Sequence, residues 1–158
     1  STTVGDIMTP STVLFSVPSS MTVAEYCSEY GDRPFSRIPV FDNQPDNIRG
    51  FVLRTDILMA QAQDAHDTPV GTFRRDIRAI PDRQRLSRLF SFLMEERVQM
   101  ALVVDEYGSL EGIVTMEDLI ETLLGLEIVD EEDRVKDMRV LARRLWRHRA
   151  TRMGLDID

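Results

Sequence analysis

The stretches GFVLRTDIL (Gly50–Leu58) and GIVTMEDLI (Gly112–Ile120) carry one phrase twice: Gly, an apolar residue, Val, three variable positions, Asp, two aliphatics. The likeness runs outward from there. At an offset of 62, Gly50 meets Gly112, Val52 meets Val114 and Asp56 meets Asp118. Upstream, an offset of 63 sets Val17-Pro18 on Ile80-Pro81, Val23 on Leu86 and Tyr26 on Leu89. Further back, Val4-Gly5 meets Val70-Gly71. The one-residue slip falls in the polar loop between Asp42 and Gly50, where an insertion costs least. Internal duplication of this extent decides the fold before any finer reading.

Each half reads as β-α-β-β-α. A short apolar strand (Val13–Val17; Ile77–Ile80) meets a Pro turn. A helix follows, with Leu86, Leu89, Phe90, Leu93 and Met94 at helical spacing in the second half, and Val23, Tyr26, Cys27 and Tyr30 in the first. Two strands joined by a polar turn come next: Arg37–Phe41 with Ile48–Leu53, and Met100–Val104 with Leu110–Val114. A second helix closes each half (Thr55–Gln63; Met116–Leu124). A unit of about sixty residues is marginal alone. The expected fold is α+β: two pseudo-symmetric repeats, 1–66 and 67–133, packed sheet to sheet, with a basic amphipathic helix or linker over 134–158.

Composition narrows the function. The net charge is −8, which argues against a nucleic-acid binder. Residues 134–158 hold eight Lys/Arg against three Asp/Glu, leaving 11 basic and 24 acidic residues in 1–133, so a +5 tail follows a −13 body. No apolar run approaches the ~20 residues of a membrane span. Cys27 is the sole cysteine, as expected in a reducing compartment, and it falls on the apolar stripe of its helix. The chain opens on Ser1 rather than Met, as expected of a processed or excised chain. His66 and His148 lack metal-ligand spacing, and there is no P-loop, HExxH or GxSxG. Nothing pairs a nucleophile with a base, so no enzyme and no dedicated protein metal site is expected.

Thr115 and Asp118 stand at N-cap and N3 of the last helix, which a capping box alone explains. The same geometry suits a ligand. A helix N-terminus favours phosphate, and a carboxylate there suits a neutral ribose diol. Leu53 occupies the place of Thr115 in the first half and cannot cap through its side chain; Thr55 is the alternative.

The sequence resembles a tandem pair of cystathionine-beta-synthase (CBS) domains, a Bateman module, and more narrowly the CorC/HlyC and cyclin-M (CNNM) branch of magnesium- and cobalt-handling membrane proteins. The residues that carry this are 4–10 (VGDIMTP), 36–40 (SRIPV), Gly50 through Asp56, 101–105 (ALVVD) with Tyr107-Gly108, 112–118 (GIVTMED) and 127–133 (EIVDEED). The resemblance implies a regulatory module on the cytoplasmic side of a transmembrane domain, controlling ion transport and commonly a homodimer. It implies an adenine nucleotide (ATP or AMP), ATP often with Mg²⁺, bound between the repeats. Carried over, the site is Thr9, Phe35, Ser36, Arg37, Ile38 and Pro39 with Ile113, Thr115 and Asp118. Asp118 would hold ribose, Thr9 and Thr115 would donate to phosphates, and Arg37 would neutralise them. Ile38, Pro39 and Ile113 would flank adenine, with Phe35 in place of a frequent Tyr. A second, weaker site would use Asp56, Met100, Ala101 and Leu102. The alternative is a structural dimerisation module with no ligand.

Two segments stay open. The run 127–133 holds five carboxylates, which read as a solvated acidic face or as a segment eased by nucleotide-bound Mg²⁺. The tail places Val135, Met138, Leu141, Ala142, Leu145 and Trp146 at helical spacing among Arg143, Arg144, Arg147, Arg149 and Arg152. Packing on the acidic body is its expected role, and contact with an anionic membrane is the alternative.

Overall fold

The computed structural model describes residues 2–132, with side chains through Gly125, together with Arg143, Trp146, Arg147, Arg149, Ala150 and Gly154. In chain order the elements are α1 (Val4–Ile7), β1 (Thr9–Pro10), β2 (Val17–Pro18), α2 (Val23–Tyr30), β3 (Arg37–Phe41), β4 (Ile48–Leu53) and α3 (Arg54–Ala62), then β5 (Arg78–Pro81), α4 (Leu86–Glu96), β6 (Met100–Val104), β7 (Leu110–Thr115) and α5 (Met116–Glu132). The fold is α+β, with the repeated β-α-β-β-α plan.

Two compact units emerge. One holds Val13–Arg78, the other Ser1–Thr12 with Ala79–Asp158. In the first, β2 runs parallel to β3, and β3 pairs antiparallel with β4, setting Ile38 opposite Val52 and Val40 opposite Gly50. Its core is Val17, Val23, Tyr26, Ile38, Val40, Val52, Ile57, Ala60 and Val70. In the second, the sheet order is β1-β7-β6-β5, over a core that includes Val4, Ile7, Leu86, Leu89, Leu93, Val103, Val114 and Leu119.

The units do not follow the repeat boundary, because the repeats trade their opening segments. The N–H groups of Val4 and Gly5 donate to the carbonyls of Gln84 and Asp82, at 2.8 Å each. Sixty-odd residues later, Val70 and Gly71 donate to Met21 and Ser19 at 2.7 and 2.9 Å. The bridges Thr3↔Arg85 and Thr22↔Pro69 mirror each other in the same way. Val4 and Val70, both fully buried, anchor each traded segment in the core it joins. Each segment then lies along the edge strand of its new sheet. Thr9 pairs with Ile113, and Arg75 pairs with Phe51. The glycine of the repeated phrase makes this approach feasible. A Cβ on Gly112 would stand 2.3 Å from the Thr9 carbonyl oxygen, and one on Gly50 would stand 2.3 Å from that of Arg75.

Local departures from the sequence reading have plain causes. The expected strand Val13–Val17 shrinks to Val17–Pro18, because residues 11–13 form a 3₁₀ turn and Val13 is exposed. Neither Leu53 nor Thr55 caps α3 through a side chain. The Arg54 N–H donates instead to the Ser36 carbonyl at 2.9 Å, so the strand neighbour satisfies the first helical donor. Helix α5 runs on past Leu124 to Glu132, since one Gly at 125 costs only ~1 kcal/mol in a helix.

Of the expected basic helix, Arg143, Trp146, Arg147, Arg149 and Ala150 are described, all helical. The Arg149 guanidinium donates to Glu121 Oε2 at 3.2 Å and to Thr122 Oγ1 at 3.1 Å, and Ala150 is fully buried. Val135, Met138, Leu141, Ala142, Leu145, Arg144, Arg152 and Asp133 lie outside the described residues, as do the side chains of Glu127, Asp130, Glu131 and Glu132. No described helix is long and apolar enough to cross a membrane.

Candidate functional site

The unit holding Ser1–Thr12 and Ala79–Asp158 gathers four of the predicted residues. Strand β1 sets Thr9 directly opposite Ile113, whose side chain is buried. Two residues on, β7 ends at Thr115 and α5 starts. The Asp118 N–H donates to Thr115 Oγ1 at 3.1 Å, and the Thr115 N–H reaches Asp118 Oδ2 at 3.4 Å. This is the reciprocal capping box expected from Thr-x-x-Asp. Thr122 Oγ1 donates to the Asp118 carbonyl at 2.8 Å and ties the next turn to it. Asp118 is only 6% exposed, so a solvated surface acid is excluded. An acid so placed, at a helix N-terminus beside two threonines, can accept from a diol while the N–H groups favour phosphate.

The other residues predicted for the preferred site belong to the unit Val13–Arg78. Phe35 stacks on Phe15, with ring centroids 5.0 Å apart and planes 20° apart. Phe15 meets Tyr30 edge-on at 5.0 Å, and the Arg33 guanidinium lies 5.8 Å from the Phe15 centroid. Sequence reading missed Phe15, which sits outside every helical stripe. Ser36 receives the α3 N–H described above, and Arg37 opens β3 opposite Leu53. Ile38 and Pro39 are buried, Ile38 within the core.

This unit also carries the mirror acid. Asp56 Oδ2 lies 3.5 Å from Arg75 Nη2, an ion pair that sequence reading also missed. Its expected companions Met100, Ala101 and Leu102 lie on β6 of the other unit, the first two buried, with Met100 opposite Thr115.

Titration shifts fall elsewhere in this unit. Burial pushes the Tyr26 hydroxyl and the Cys27 thiol up from their ordinary values, against the opposing pull of the Arg54 guanidinium. The Tyr26 hydroxyl is buried with no hydrogen-bond partner among the described residues. Cys27 packs against the core, as its place on the apolar stripe implied. A cavity of about 560 Å³, lined by Ser19, Ser20, Asp42, Arg49, Pro69, Gly71 and Arg74, opens at the far end of β3 and β4 from Asp56 and contains none of the predicted residues. Among the described residues, no cluster of three His, Cys, Asp or Glu side chains is arranged to hold a metal ion.

Comparison with known proteins places this geometry in context. Residues 4–63 and 70–125 match the CBS domain family. The magnesium and cobalt efflux protein CorC of Escherichia coli K12 is 32% identical over 149 residues, which cover 93% of this chain and 51% of that protein. The CBS domain of the bacterial CNNM/CorC family Mg²⁺ transporter, solved in complex with ATP, superposes with a TM-score of 0.72 at 30% identity, covering 78% of this chain and 88% of that one. A hemolysin-like protein containing a CBS domain, from Oenococcus oeni PSU, gives 0.68 at 32% identity, covering 76% and 88%. The chain spans 40–51% of the length of the curated relatives compared.

Proposed function

This chain belongs to the CBS-domain family, as a non-enzymatic tandem pair related to CorC and CNNM magnesium-transporter modules and to hemolysin-like proteins, and from that premise we propose that it senses ATP, taken up with Mg²⁺, for a membrane ion transporter of the Mg²⁺/Co²⁺ type. The observation that carries the reading is the grouping of Thr9, Ile113, Thr115 and Asp118 at the start of α5. A relative of 30% identity, described in complex with ATP, supports it.

In this reading Asp118 accepts from the ribose hydroxyls. Thr9 and Thr115 donate to phosphate oxygens, and the helix N-terminus adds its dipole. Phe35, Ser36, Arg37, Ile38 and Pro39 complete the site, with Arg37 toward phosphate and the apolar members toward adenine. Mg²⁺ arrives with the nucleotide, offsetting its charge near an acidic body. The module works on the cytoplasmic side, coupled to the transmembrane domain of its parent protein. Ligand shifts the module's arrangement only by binding one arrangement more tightly than another. Phe90 and Met94 on α4, with Ile120 and Leu124 on α5, are exposed apolar side chains spaced four apart, which fits a homodimer.

Calorimetry with ATP, ADP and AMP, with and without Mg²⁺, tests the reading. At 100-fold excess over Kd, ligand adds ~2.7 kcal/mol to stability, so a thermal shift accompanies binding. Asp118→Ala is expected to abolish binding, and Asp118→Asn, which keeps an acceptor for the cap, to weaken it. If both variants bind as tightly as the parent, Asp118 is a cap and nothing more. If the parent binds no nucleotide, a structural dimerisation module is left.

A further inference from the structure

The two traded segments are equivalent in backbone and unequal in chemistry. Thr9 faces Ile113 and crowds Gly112; Arg75 faces Phe51 and crowds Gly50. Phe51 and Gly50 are the counterparts of Ile113 and Gly112 at the offset of 62, so Arg75 stands where Thr9 stands. The acids match too, Asp56 for Asp118. A threonine can offer its neighbouring acid no positive charge. Arg75 does, with Nη2 at 3.5 Å from Asp56 Oδ2.

We propose that Arg75 weakens the second ribose position by holding Asp56 in an internal ion pair. The inference rests on the reading of Asp118 as a ribose acceptor. The guanidinium on Asp56 Oδ2 competes with a neutral diol for that oxygen. The pair is half-exposed, at 56% and 38%, so its hold is modest in water. It is reinforced by what the position lacks: Leu53, in the place of Thr115, brings no hydroxyl.

Adenosine is the discriminating probe, because it has the diol and no phosphate to draw Arg75 away. Amide shifts of the labelled chain are followed during adenosine titration. In the parent, shifts are expected at Thr115–Asp118, with only weak, unsaturated shifts at Arg54–Ile57. Arg75→Thr should add saturable shifts at Arg54–Ile57, with affinity there raised about fivefold, the upper end of what an exposed pair contributes. A further Asp56→Asn change should remove them. Parent shifts at Thr115–Asp118 with none gained in Arg75→Thr would overturn the role of Arg75 alone. Parent shifts at Arg54–Ile57 that saturate with the same affinity as in Arg75→Thr would do the same. Silence at both positions in both proteins overturns this proposal, and the nucleotide reading falls with it if the parent also binds no ATP.

Discussion

Replacing Gly112 by alanine tests the traded segments most directly. The new Cβ would meet the Thr9 carbonyl oxygen at 2.3 Å, the Met8 Sδ at 3.0 Å and the Thr9 carbonyl carbon at 3.1 Å. Ordinary contact begins near 3.4 Å, so the Thr9 backbone must retreat by about 1 Å. Strand β1 is two residues long and cannot absorb that by bending, so it peels from β7. Forcing a methyl into a packed site costs ~1–3 kcal/mol. At ~2–4 °C per kcal/mol for a chain of this size, Tm should fall by roughly 2–12 °C. Gly50→Ala meets the Arg75 carbonyl oxygen at 2.3 Å and Arg74 Cγ at 2.6 Å, and should cost at least as much. The two variants part company over ligand: Gly112→Ala moves Thr9 and should weaken ATP binding, while Gly50→Ala should spare it. Thermal denaturation and calorimetry read both effects. A Gly112→Ala protein melting within about 1 °C of the parent would refute the close-approach argument, because a 1 Å backbone retreat cannot be free.

Two further outcomes are expected. Arg149→Ala removes a charge-assisted bond to Glu121, whose side chain is 11% exposed, and should lower stability by ~1–2 kcal/mol, between the values for exposed pairs and for buried charged bonds; urea denaturation measures it, and an unchanged midpoint would show that this contact adds nothing to the fold. Asp6 is held below its ordinary 3.8 by the Thr3 N–H and hydroxyl, so its stabilising effect is complete above that value and fades as pH drops through the lower folded value. The stability gap between the parent and Asp6→Asn should therefore be flat above about pH 5 and narrow below about pH 4; a gap flat down to pH 3 would contradict this.

The strands Arg37–Phe41, Ile48–Leu53 and Met100–Val104 could be read to the residue, because each is a short apolar run bounded by polar or turn residues. The start of α5 was legible as well, since Thr115 and Asp118 sit at capping positions whichever role they serve. The packing units were not legible. Periodicity says which face of an element is apolar, and says nothing about which core it enters, so Val4 and Val70 gave no sign that they cross to the other repeat. The clue lay in Gly50 and Gly112, whose conservation of place between the halves marks a close backbone neighbour without identifying it. The contact of Arg75 with Asp56 was hidden for the same reason: nineteen residues apart, the two meet only because of that crossing. Phe15 was missed because a single aromatic in an irregular segment carries no period.

The crossing of the opening segments also sets how the chain bears load. Tension applied ahead of Val4 is taken up by the hydrogen bonds to Gln84 and Asp82 and by the two-residue pairing of β1 with β7. A tug on the front of the chain therefore reaches the neighbourhood of Thr115 and Asp118 first, bypassing the sixty-six residues of Val13–Arg78. Severing the chain between the repeats would not yield two whole halves, because each fragment would carry away a strip that belongs to the other's sheet.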